Sequence, residues 1–326
     1  MKRTKLTIGT RGSELAKWQT AYIVNQIQGW HADVTVDTAV IKTTGDKILD
    51  SPLSKIGDKG LFTKEIERAL LDKSIDLAVH SLKDLPTAIP RGLMIAAVTE
   101  REDVRDVFIS HPKKKYRLLK DVPTNGRIAT GSLRRKSQLL HYRPDLQVID
   151  LRGSLQTRRE KLEKSDWDGM VLAKAGVTRL GWSEMISEVF EPDFILPAVG
   201  QGALAVEIRA DDRELLDLLV PLNHLPTQRA TSGERSLLGK LEGGCQIPIG
   251  TYGRIVEGTF LLDAMVGSLD GSTIVRGSMK GSPEASESLG SHLADELLAK
   301  GAGKILQEIR NNFKGATHVG SSGIPV

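Results

Sequence analysis

Cysteine is nearly absent from this chain of 326 residues, which contains only Cys245. A single thiol cannot form an internal disulfide or build a cysteine-based zinc site. Two roles remain open, a buried packing residue or a reactive thiol. Gly243 and Gly244 precede it and remove side-chain bulk, and Pro248 stiffens the segment that follows. The loop is therefore one in which a large group can approach the thiol closely.

Aromatic residues and excess charge are also scarce. Aromatics make up 4% of the chain, and the formal net charge is only +4. A surface that binds nucleic acid usually combines a dense basic stripe with stacking aromatics. The compact basic run at 113–117 follows His111-Pro112 in a predicted surface loop. We therefore expect no nucleic-acid partner.

Long hydrophobic runs are missing as well. No apolar run approaches the roughly 20 residues that span a bilayer. The first residues, 1–8, are basic but lack the apolar core of a signal peptide. We expect a cytoplasmic protein without a membrane partner, which suits a free thiol.

What the chain does have is a repeated alternation of β-branched runs and amphipathic segments, typical of mostly parallel sheets covered by helices. Its length exceeds what one core normally organises. The predicted strands of the first two-thirds are 5–10, 34–41, 75–81, 93–99, 126–130, 146–151 and 167–173. A strand-like run within 196–209 looks like an interdomain crossing. The predicted fold class is α/β, with two doubly wound domains.

The pattern changes after Leu222. One helix is predicted over 227–241 and another from Ser282-Pro283 to about Lys300. Strand-like runs lie between them at 251–256, 259–267 and 272–280. This part of the chain predicts a smaller α+β domain.

Cations and hydroxyls cluster where the predicted strands end. Ligands of open α/β sheets bind beyond the carboxyl ends of strands, and helix N-termini attract anions. The residues at these ends are Arg11, Ser13, Ser81, Lys83, Thr130, Ser132, Arg134, Arg135, Arg152 and Arg158. Arginine matches carboxylate or phosphate with a planar fork. Neither a Walker sequence nor a G-x-G-x-x-G fingerprint accompanies them, so a ligand with many negative charges is favoured over a nucleotide.

Asp84 is a carboxylate among these cations. It can neutralise Lys83 or cap a turn, or it can stabilise a transient positive charge and move protons. His80 is predicted to be a hydrogen-bonded histidine at a strand end rather than a catalyst. The seven histidines show no metal-ligand spacing, so we expect no metal, and no nucleophilic triad is evident.

Taken together, these segments resemble the porphobilinogen deaminase (hydroxymethylbilane synthase) family over roughly residues 5–310. The matching runs are Gly9-Thr-Arg-Gly-Ser13, Ala78-Val-His-Ser-Leu-Lys-Asp-Leu-Pro86, Thr130-Gly-Ser-Leu-Arg-Arg135, Leu151-Arg-Gly153, Leu196-Pro-Ala-Val-Gly-Gln-Gly-Ala203 and Leu241-Glu-Gly-Gly-Cys-Gln-Ile-Pro-Ile-Gly250. The cysteine loop and the Lys-Asp segment are the specific ones. Three positions depart from the family pattern. Ala129, Gly131 and Ser154 stand where a glycine, a serine and an asparagine are expected, which puts individual side-chain hydrogen bonds in question.

The resemblance implies a monomeric transferase of tetrapyrrole (haem) biosynthesis with binding-protein-like domains. It implies that four porphobilinogen molecules are deaminated and joined head to tail on a covalent dipyrromethane cofactor, and that water releases hydroxymethylbilane. The implied domains are 1–103 with 200–220, 104–199 and 221–310, followed by a mobile tail at 311–326.

The resemblance also assigns roles. Asp84 is implied to be catalytic and to stay ionised among cations. The implied cofactor-binding residues are Cys245 through a thioether, Lys83, Ser81, Thr130, Ser132, Arg134, Arg135 and Arg158. The implied substrate-binding residues are Arg11, Ser13, Arg152 and Gln201.

The segment 43–59 is too long for an ordinary connection between helix and strand. It is either a passive surface loop or a lid that lowers Lys55 and Lys59 over a polyanionic chain and keeps water from a reactive intermediate. Two other functions stay open from the residues alone: a two-lobed anion-binding protein, which would not need the cysteine loop, and a nucleic-acid binder.

Overall fold

The computed structural model describes residues 3–47, 60–241 and 247–318. Two five-stranded sheets and one three-stranded sheet organise these parts of the chain. The first sheet has the order β2-β1-β3-β10-β4, in which β2, β1 and β3 are parallel and β10 runs antiparallel to both neighbours. Its strands are β1 (Lys5–Thr10), β2 (Thr35–Val40), β3 (Leu77–Ser81), β4 (Leu93–Val98) and β10 (Leu204–Arg209).

The second sheet repeats this arrangement with the order β7-β6-β8-β5-β9, where β7, β6 and β8 are parallel and β5 is antiparallel. Its strands are β5 (Asp106–Ser110), β6 (Arg127–Ala129), β7 (Gln147–Ile149), β8 (Gly169–Ala173) and β9 (Glu188–Phe190). The chain passes from the first sheet to the second after β4 and returns before β10. Each sheet is therefore mixed rather than all parallel, because its fourth strand enters from the opposite direction.

Helices flank both sheets. They are α1 (Glu14–Trp30), α2 (Thr44–Lys47), α3 (Lys64–Leu71), α4 (Leu133–Tyr142), α5 (Leu155–Lys164), α6 (Lys174–Arg179) and α7 (Arg213–Leu219). Separate apolar clusters lie on the two faces of the second sheet, one around Phe108 and Ile128 and one around Ile109 and Met170. This burial on both faces explains why its strands read as continuous apolar runs.

The third sheet is an antiparallel meander of β11 (Ile249–Val256), β12 (Thr259–Gly267) and β13 (Ile274–Gly281). One face packs against α8 (Leu225–Lys240) and α9 (Ser286–Leu297), with Phe260, Leu262 and Leu293 in the shared core. The chain then continues through a π-helical turn into α10 (Gly303–His318). This helix reaches into the segment predicted to be a mobile tail.

Buried Glu234 of α8 joins the third sheet to both crossings, the two segments in which the chain passes between the large sheets. Its carboxylate accepts hydrogen bonds from the Arg101 guanidinium at 2.7 and 3.1 Å. It also accepts from the backbone N–H groups of Gly200 and Gly253, each at 2.7 Å. Four donors thus satisfy a charge that would otherwise be costly to bury.

The strands predicted from the sequence are confirmed, with ends that differ by no more than two residues, and the strand-like run within 196–209 is β10, which begins at Leu204. The predictions missed β5 and β9. Helix α8 begins two residues earlier than expected, with Pro226 in its first turn, where a missing N–H costs nothing. Within the described residues, no helix is long and apolar enough to cross a membrane.

Candidate functional site

The site is built where parallel strands of the two large sheets end. In the first sheet, β1 leads to Arg11 and its neighbour β3 leads through a 3₁₀ turn to Lys83 and Asp84. In the second, β6 leads into α4 and its neighbour β7 leads into α5. The predicted convergence of strand ends is therefore present within each sheet.

Hydroxyl residues begin the helices at these ends. Ser13 accepts the Ala16 N–H at 3.3 Å, Ser132 accepts the Arg135 N–H at 3.4 Å and Ser154 accepts the Thr157 N–H at 3.2 Å. These bonds satisfy donors that a helix start leaves free. The serine at 154 thus fills the capping role expected of an asparagine. Thr130 is buried, and its hydroxyl lies 3.4 Å from the Ser132 nitrogen.

The glycine at 131 also has a local reason. A Cβ built there would lie 2.4 Å from the Leu151 carbonyl oxygen, on the loop that follows β7. A serine would force the two strand ends apart, since real side chains do not approach backbone so closely. Gly131 therefore permits the close approach of the loops that carry Arg134 and Arg152.

Asp106, at the start of β5, gathers the arginines of α4. Its side chain is fully buried, and Arg134 and Arg135 are only 4% and 5% exposed. Arg134 Nη1 donates to Asp106 Oδ2 at 2.7 Å, and Arg135 Nη2 donates to Asp106 Oδ1 at 2.8 Å. Burial alone would raise the pKa of Asp106, but the two guanidinium charges outweigh it and hold this pKa well below its usual range.

Lys83 faces the same cluster from the first sheet. Its ammonium nitrogen lies 3.5 Å from Gln201 Oε1, and Gln201 Nε2 donates to Asp106 Oδ1 at 2.9 Å. Burial and the charges of Arg135 and Arg134 lower the pKa of Lys83 to about 8, against the opposing effect of Asp84 and Asp106. Gln201 itself is 1% exposed, and its predicted role in substrate binding stays a prediction.

Arg158 and Arg152 extend the positive region along the loop after β7. Arg158 Nε donates to the Gly153 carbonyl at 2.8 Å. Burial and repulsion from Arg135 and Arg152 lower the pKa of Arg158 to about 10, while Asp84 and Asp150 act in the opposite direction. Burial likewise lowers the pKa of Arg152, whose Nε lies 3.7 Å from Asp150 Oδ2. Asp84 is exposed in the midst of these cations.

Arg11 is held in a different way. Its guanidinium pairs with Asp46 of α2 and stacks on the Phe62 ring, with the Arg11 Cζ atom 4.2 Å from the ring centre. Burial would raise the pKa of Asp46, but hydrogen bonds from Arg11 and Thr43 lower it. Nearby, Ser81 Oγ accepts a hydrogen bond from Gln19 at 2.9 Å.

Several buried donors of this site have no acceptor among the residues that the structure describes. The Nε atoms of Arg134, Arg135, Arg152 and Arg179 are buried and make no hydrogen bond among the described residues. Buried cationic N–H groups without acceptors are expensive unless an anion meets them. This donor set fits a ligand that carries several carboxylates, such as a dipyrromethane with its acetate and propionate chains.

Sequence reasoning missed Asp106, Gln19 and Arg179. Arg179 donates to the Gly202 carbonyl at 2.7 Å and lies over the Trp18 ring, so it joins the two large sheets. One feature of the sequence could have pointed to Asp106, because it is a charged residue at the start of an apolar run. His80 behaves as predicted, since its Nε2 lies 3.0 Å from buried Glu207.

Three predicted residues lie outside the described parts of the chain. They are Cys245 and the two lysines of the proposed lid, Lys55 and Lys59. Among the residues that are described, no group of three or more histidine, cysteine, aspartate and glutamate side chains could hold a metal ion.

A cavity of about 620 Å³ lies elsewhere, between the crossing at 101–105 and the third sheet. None of the predicted site residues lines it. Its arginines are already paired, Arg101 with Glu234, Arg105 with Asp103 and Arg254 with Asp263. We therefore place the candidate site at the strand ends and not in this cavity.

Comparison with known proteins identifies the relatives of this chain. The family model described as "Porphobilinogen deaminase, dipyromethane cofactor binding domain" matches residues 6–217, and "Porphobilinogen deaminase, C-terminal domain" matches residues 229–299. Porphobilinogen deaminase of Carboxydothermus hydrogenoformans is 52% identical over 310 residues, covering 95% of this chain and 99% of that protein. Porphobilinogen deaminase of Chloroherpeton thalassium is 54% identical over 311 residues, covering 94% and 98%.

Among solved structures, a nutrient-binding protein of Burkholderia cenocepacia bound to methionine is 14% identical with a TM-score of 0.42, covering 72% of this chain and 95% of its own. Because this similarity is weak, the fold is described from the strand order of the three sheets alone. The two family matches together span most of the sequence, and the relatives share half of its residues over nearly their full length. The chain belongs to the porphobilinogen deaminase family.

Proposed function

We propose that this chain performs its family's reaction with the residues gathered at the strand ends. The reaction is that of a hydroxymethylbilane synthase, a transferase of tetrapyrrole biosynthesis. Four porphobilinogen molecules lose ammonia and are joined head to tail on a covalent dipyrromethane, and water releases hydroxymethylbilane. The observation that carries the residue assignment is an exposed Asp84 within a cluster of buried and half-buried cations, several of whose Nε donors make no hydrogen bond within the described parts of the chain.

The dipyrromethane, when bound, supplies the free pyrrole carbon to which the first substrate unit is joined. We assign its carboxylates to Lys83, Arg134, Arg135 and Arg158, with hydroxyls from Ser81, Thr130 and Ser132. Planar guanidinium groups match carboxylates in a bidentate manner, and their burial strengthens the attraction. We assign the covalent attachment to Cys245, which the family resemblance supports.

Incoming porphobilinogen is bound by Arg11, Ser13 and Arg152, and we add Arg179 to this set. Arg11 and Arg152 stand at the ends of strands in different sheets, so together they can hold a substrate between the two lobes. The Nε donor of Arg179, which makes no hydrogen bond among the described residues, supports its place in this set.

Asp84 acts on the positive charge that develops as ammonia leaves and the new bond forms. Its carboxylate accepts hydrogen bonds from pyrrole N–H groups and stabilises that charge electrostatically. A carboxylate in this position also offers a proton acceptor when the coupled ring returns to aromaticity.

The proposed domains follow the three sheets. The first comprises 1–103 and 200–220, the second 104–199 and the third 221–310. Chain crossings between β4 and β5 and between β9 and β10 support these boundaries. We further propose a monomer acting in the cytoplasm, which light scattering of the purified protein and fractionation of cells would test.

The reaction is tested by mixing purified protein with porphobilinogen. We expect ammonia and hydroxymethylbilane in a ratio of four to one, with the residue assignment tested by leucine substitutions. Arg11→Leu is expected to be loaded with cofactor but slow in elongation, whereas Arg134→Leu is expected to arrive without cofactor. The opposite pattern would overturn the division of roles between these arginines.

A further inference from the structure

In each large sheet, the strand that runs antiparallel to its neighbours begins at the edge where the parallel strands end. In the second sheet β5 runs against β8, so its first residue, Asp106, lies at the carboxyl end of the parallel strands. In the first sheet β10 runs against β3, and Leu204 pairs with Ser81. The segment before β10, which contains Gln201, therefore lies beside the turn that carries Lys83 and Asp84. The Leu82 N–H donates to the Ala203 carbonyl at 3.0 Å and fixes this adjacency.

Asp106 and Gln201 are hydrogen-bonded to each other beside this turn, and each contacts residues that belong to both large sheets. Asp106 holds one arginine on each carboxylate oxygen and accepts the Gln201 amide on Oδ1. The Gln201 side-chain amide also donates to the Val104 carbonyl at 2.6 Å, and the backbone carbonyl of Gln201 accepts from Arg101 Nε at 2.7 Å. Its amide oxygen faces Lys83 Nζ.

We propose that Asp106 is a positioning residue for the anion-binding cations and that Gln201 extends its hold to Lys83 across the boundary between the two sheets. The inference rests on the proposed function, because it assigns to these cations the carboxylates of the cofactor and substrate. Neither Asp106 nor Gln201 needs to touch a ligand for this role.

The charge balance of the cluster supports the proposal. One buried carboxylate faces the positive charges of Arg134, Arg135 and Lys83, so the cluster keeps an excess of positive charge. A protein that needed only stability would pair each buried cation or replace it by an apolar residue. Here Asp106 fixes the orientation of both guanidinium groups, while their Nε atoms make no hydrogen bond to any residue that the structure describes. The arrangement is preorganised to receive anions.

The test compares Asp106→Asn with Asp103→Asn. Asp103 lies in the same crossing and also pairs with two cations, but these are Arg105 and Lys174, which are not among the cations of the cluster. We expect Asp106→Asn to lower the fraction of purified protein that carries the two-pyrrole adduct, by intact mass, about tenfold or more, the effect of losing one charged hydrogen bond. Asp103→Asn should keep wild-type occupancy.

Kinetics separate positioning from support of the fold. In the fraction of Asp106→Asn that is loaded, KM for porphobilinogen should rise about tenfold while kcat changes little. The alkaline fall of kcat/KM should also move to lower pH by about one unit, because the charge of Asp106 favours protonated Lys83. Asp106→Glu should restore part of both. The proposal would be overturned if Asp106→Asn matched the wild type in adduct occupancy, in KM and in the pH at which kcat/KM falls.

A second variant covers the case in which Asp106→Asn does not fold. Gln201→Leu removes the link between Asp106 and Lys83 but leaves both arginines on Asp106. We expect it to carry the adduct and to show a KM raised several-fold. Equal losses of occupancy in Asp103→Asn and Asp106→Asn, or an unchanged KM in Gln201→Leu, would contradict the proposal. Wild-type protein without adduct and without turnover would instead reject the proposed function.

Discussion

Asp84 is an exposed carboxylate within a group of buried and half-buried cations. Asp84→Asn keeps the shape of the side chain and removes its charge. We expect a folded protein that carries the cofactor but turns over about a hundredfold more slowly or worse, because a well-placed charge-stabilising group contributes on the order of 3 kcal/mol. Single-turnover rates and intact mass measure the two effects separately.

The matched control is Asp72→Asn, since Asp72 is also exposed and pairs weakly with Arg68 at 3.5 Å. It should leave turnover unchanged. Near-normal turnover in loaded Asp84→Asn would show that the carboxylate charge is not required.

Lys83 should give the reaction a pH dependence. Its pKa is lowered to about 8, first by burial and then by repulsion from Arg135 and Arg134. The ammonium is charged below this pH and attracts carboxylates, and the attraction is lost as pH rises through it. We therefore expect KM for porphobilinogen to increase from about pH 7 to about pH 9.

Lys83→Arg is the informative variant for this dependence, because a guanidinium stays charged over the whole range. Its KM should change less between the two pH values, whatever its absolute level. Parallel KM curves for the two proteins would exclude Lys83 as the titrating group.

At the scale of elements, the β12–β13 hairpin packs on α4, the helix that carries the two arginines. Gly271 in its turn has φ +73°, and a Cβ there would lie 2.6 Å from the His141 nitrogen and the Ser137 oxygen. We expect Gly271→Ala to lower the free energy of unfolding and to reduce adduct occupancy, because the hairpin must move away from α4.

Gly258, in the turn of the neighbouring β11–β12 hairpin, provides the control. Its φ of +75° is nearly the same, but a Cβ there would contact nothing within 4 Å. The strain of a positive φ is thus common to both substitutions. The difference between their unfolding free energies therefore measures the clash at Gly271, which we expect to be about 1–3 kcal/mol. Equal unfolding free energies for the two variants would show that the hairpin does not depend on this contact.

Elements with a regular apolar pattern were predictable, and those without one were not. The strands from β1 to β4 and from β11 to β13 combine β-branched residues with clear boundaries. Strand β5 follows β4 with no helix between them, so it falls outside the strand–helix alternation on which the predictions were based, and β9 was missed as well. The carboxyl-end rule correctly grouped Arg134, Arg152 and Lys83 near strand ends.

The rule could not show what each cation pairs with. Asp106 and Arg134 are 28 residues apart, and Gln201 and Asp106 are 95 apart. Such partners depend on how two sheets meet, which no local pattern encodes. The antiparallel direction of β10 and β5 could not be predicted for the same reason, since strand direction depends on where the chain returns.

For the whole molecule, Glu234 is a buried contact that joins the third sheet to the two crossings. Glu234→Gln leaves the buried guanidinium of Arg101 without its counter-charge. We expect a loss of about 3–5 kcal/mol in the free energy of unfolding, the usual cost of breaking one side of a buried ion pair. Urea unfolding followed by far-UV circular dichroism measures it.

Asp295→Asn is the control, because Asp295 pairs with Lys240 on the surface at 2.7 Å. Exposed pairs contribute less than about 1 kcal/mol. If both variants unfolded at the wild-type urea concentration, the Glu234 contact would not be what holds the three sheets together.

The proposed function depends on a covalent two-pyrrole group at Cys245, the only cysteine of the chain. Intact mass of the purified protein, followed by mapping of the peptide that contains Cys245, tests this most directly. We expect wild-type protein to carry the adduct on that peptide, and Cys245→Ala to carry none and to be inactive. An adduct that persists in Cys245→Ala, or full turnover by wild-type protein that has no adduct, would contradict the account.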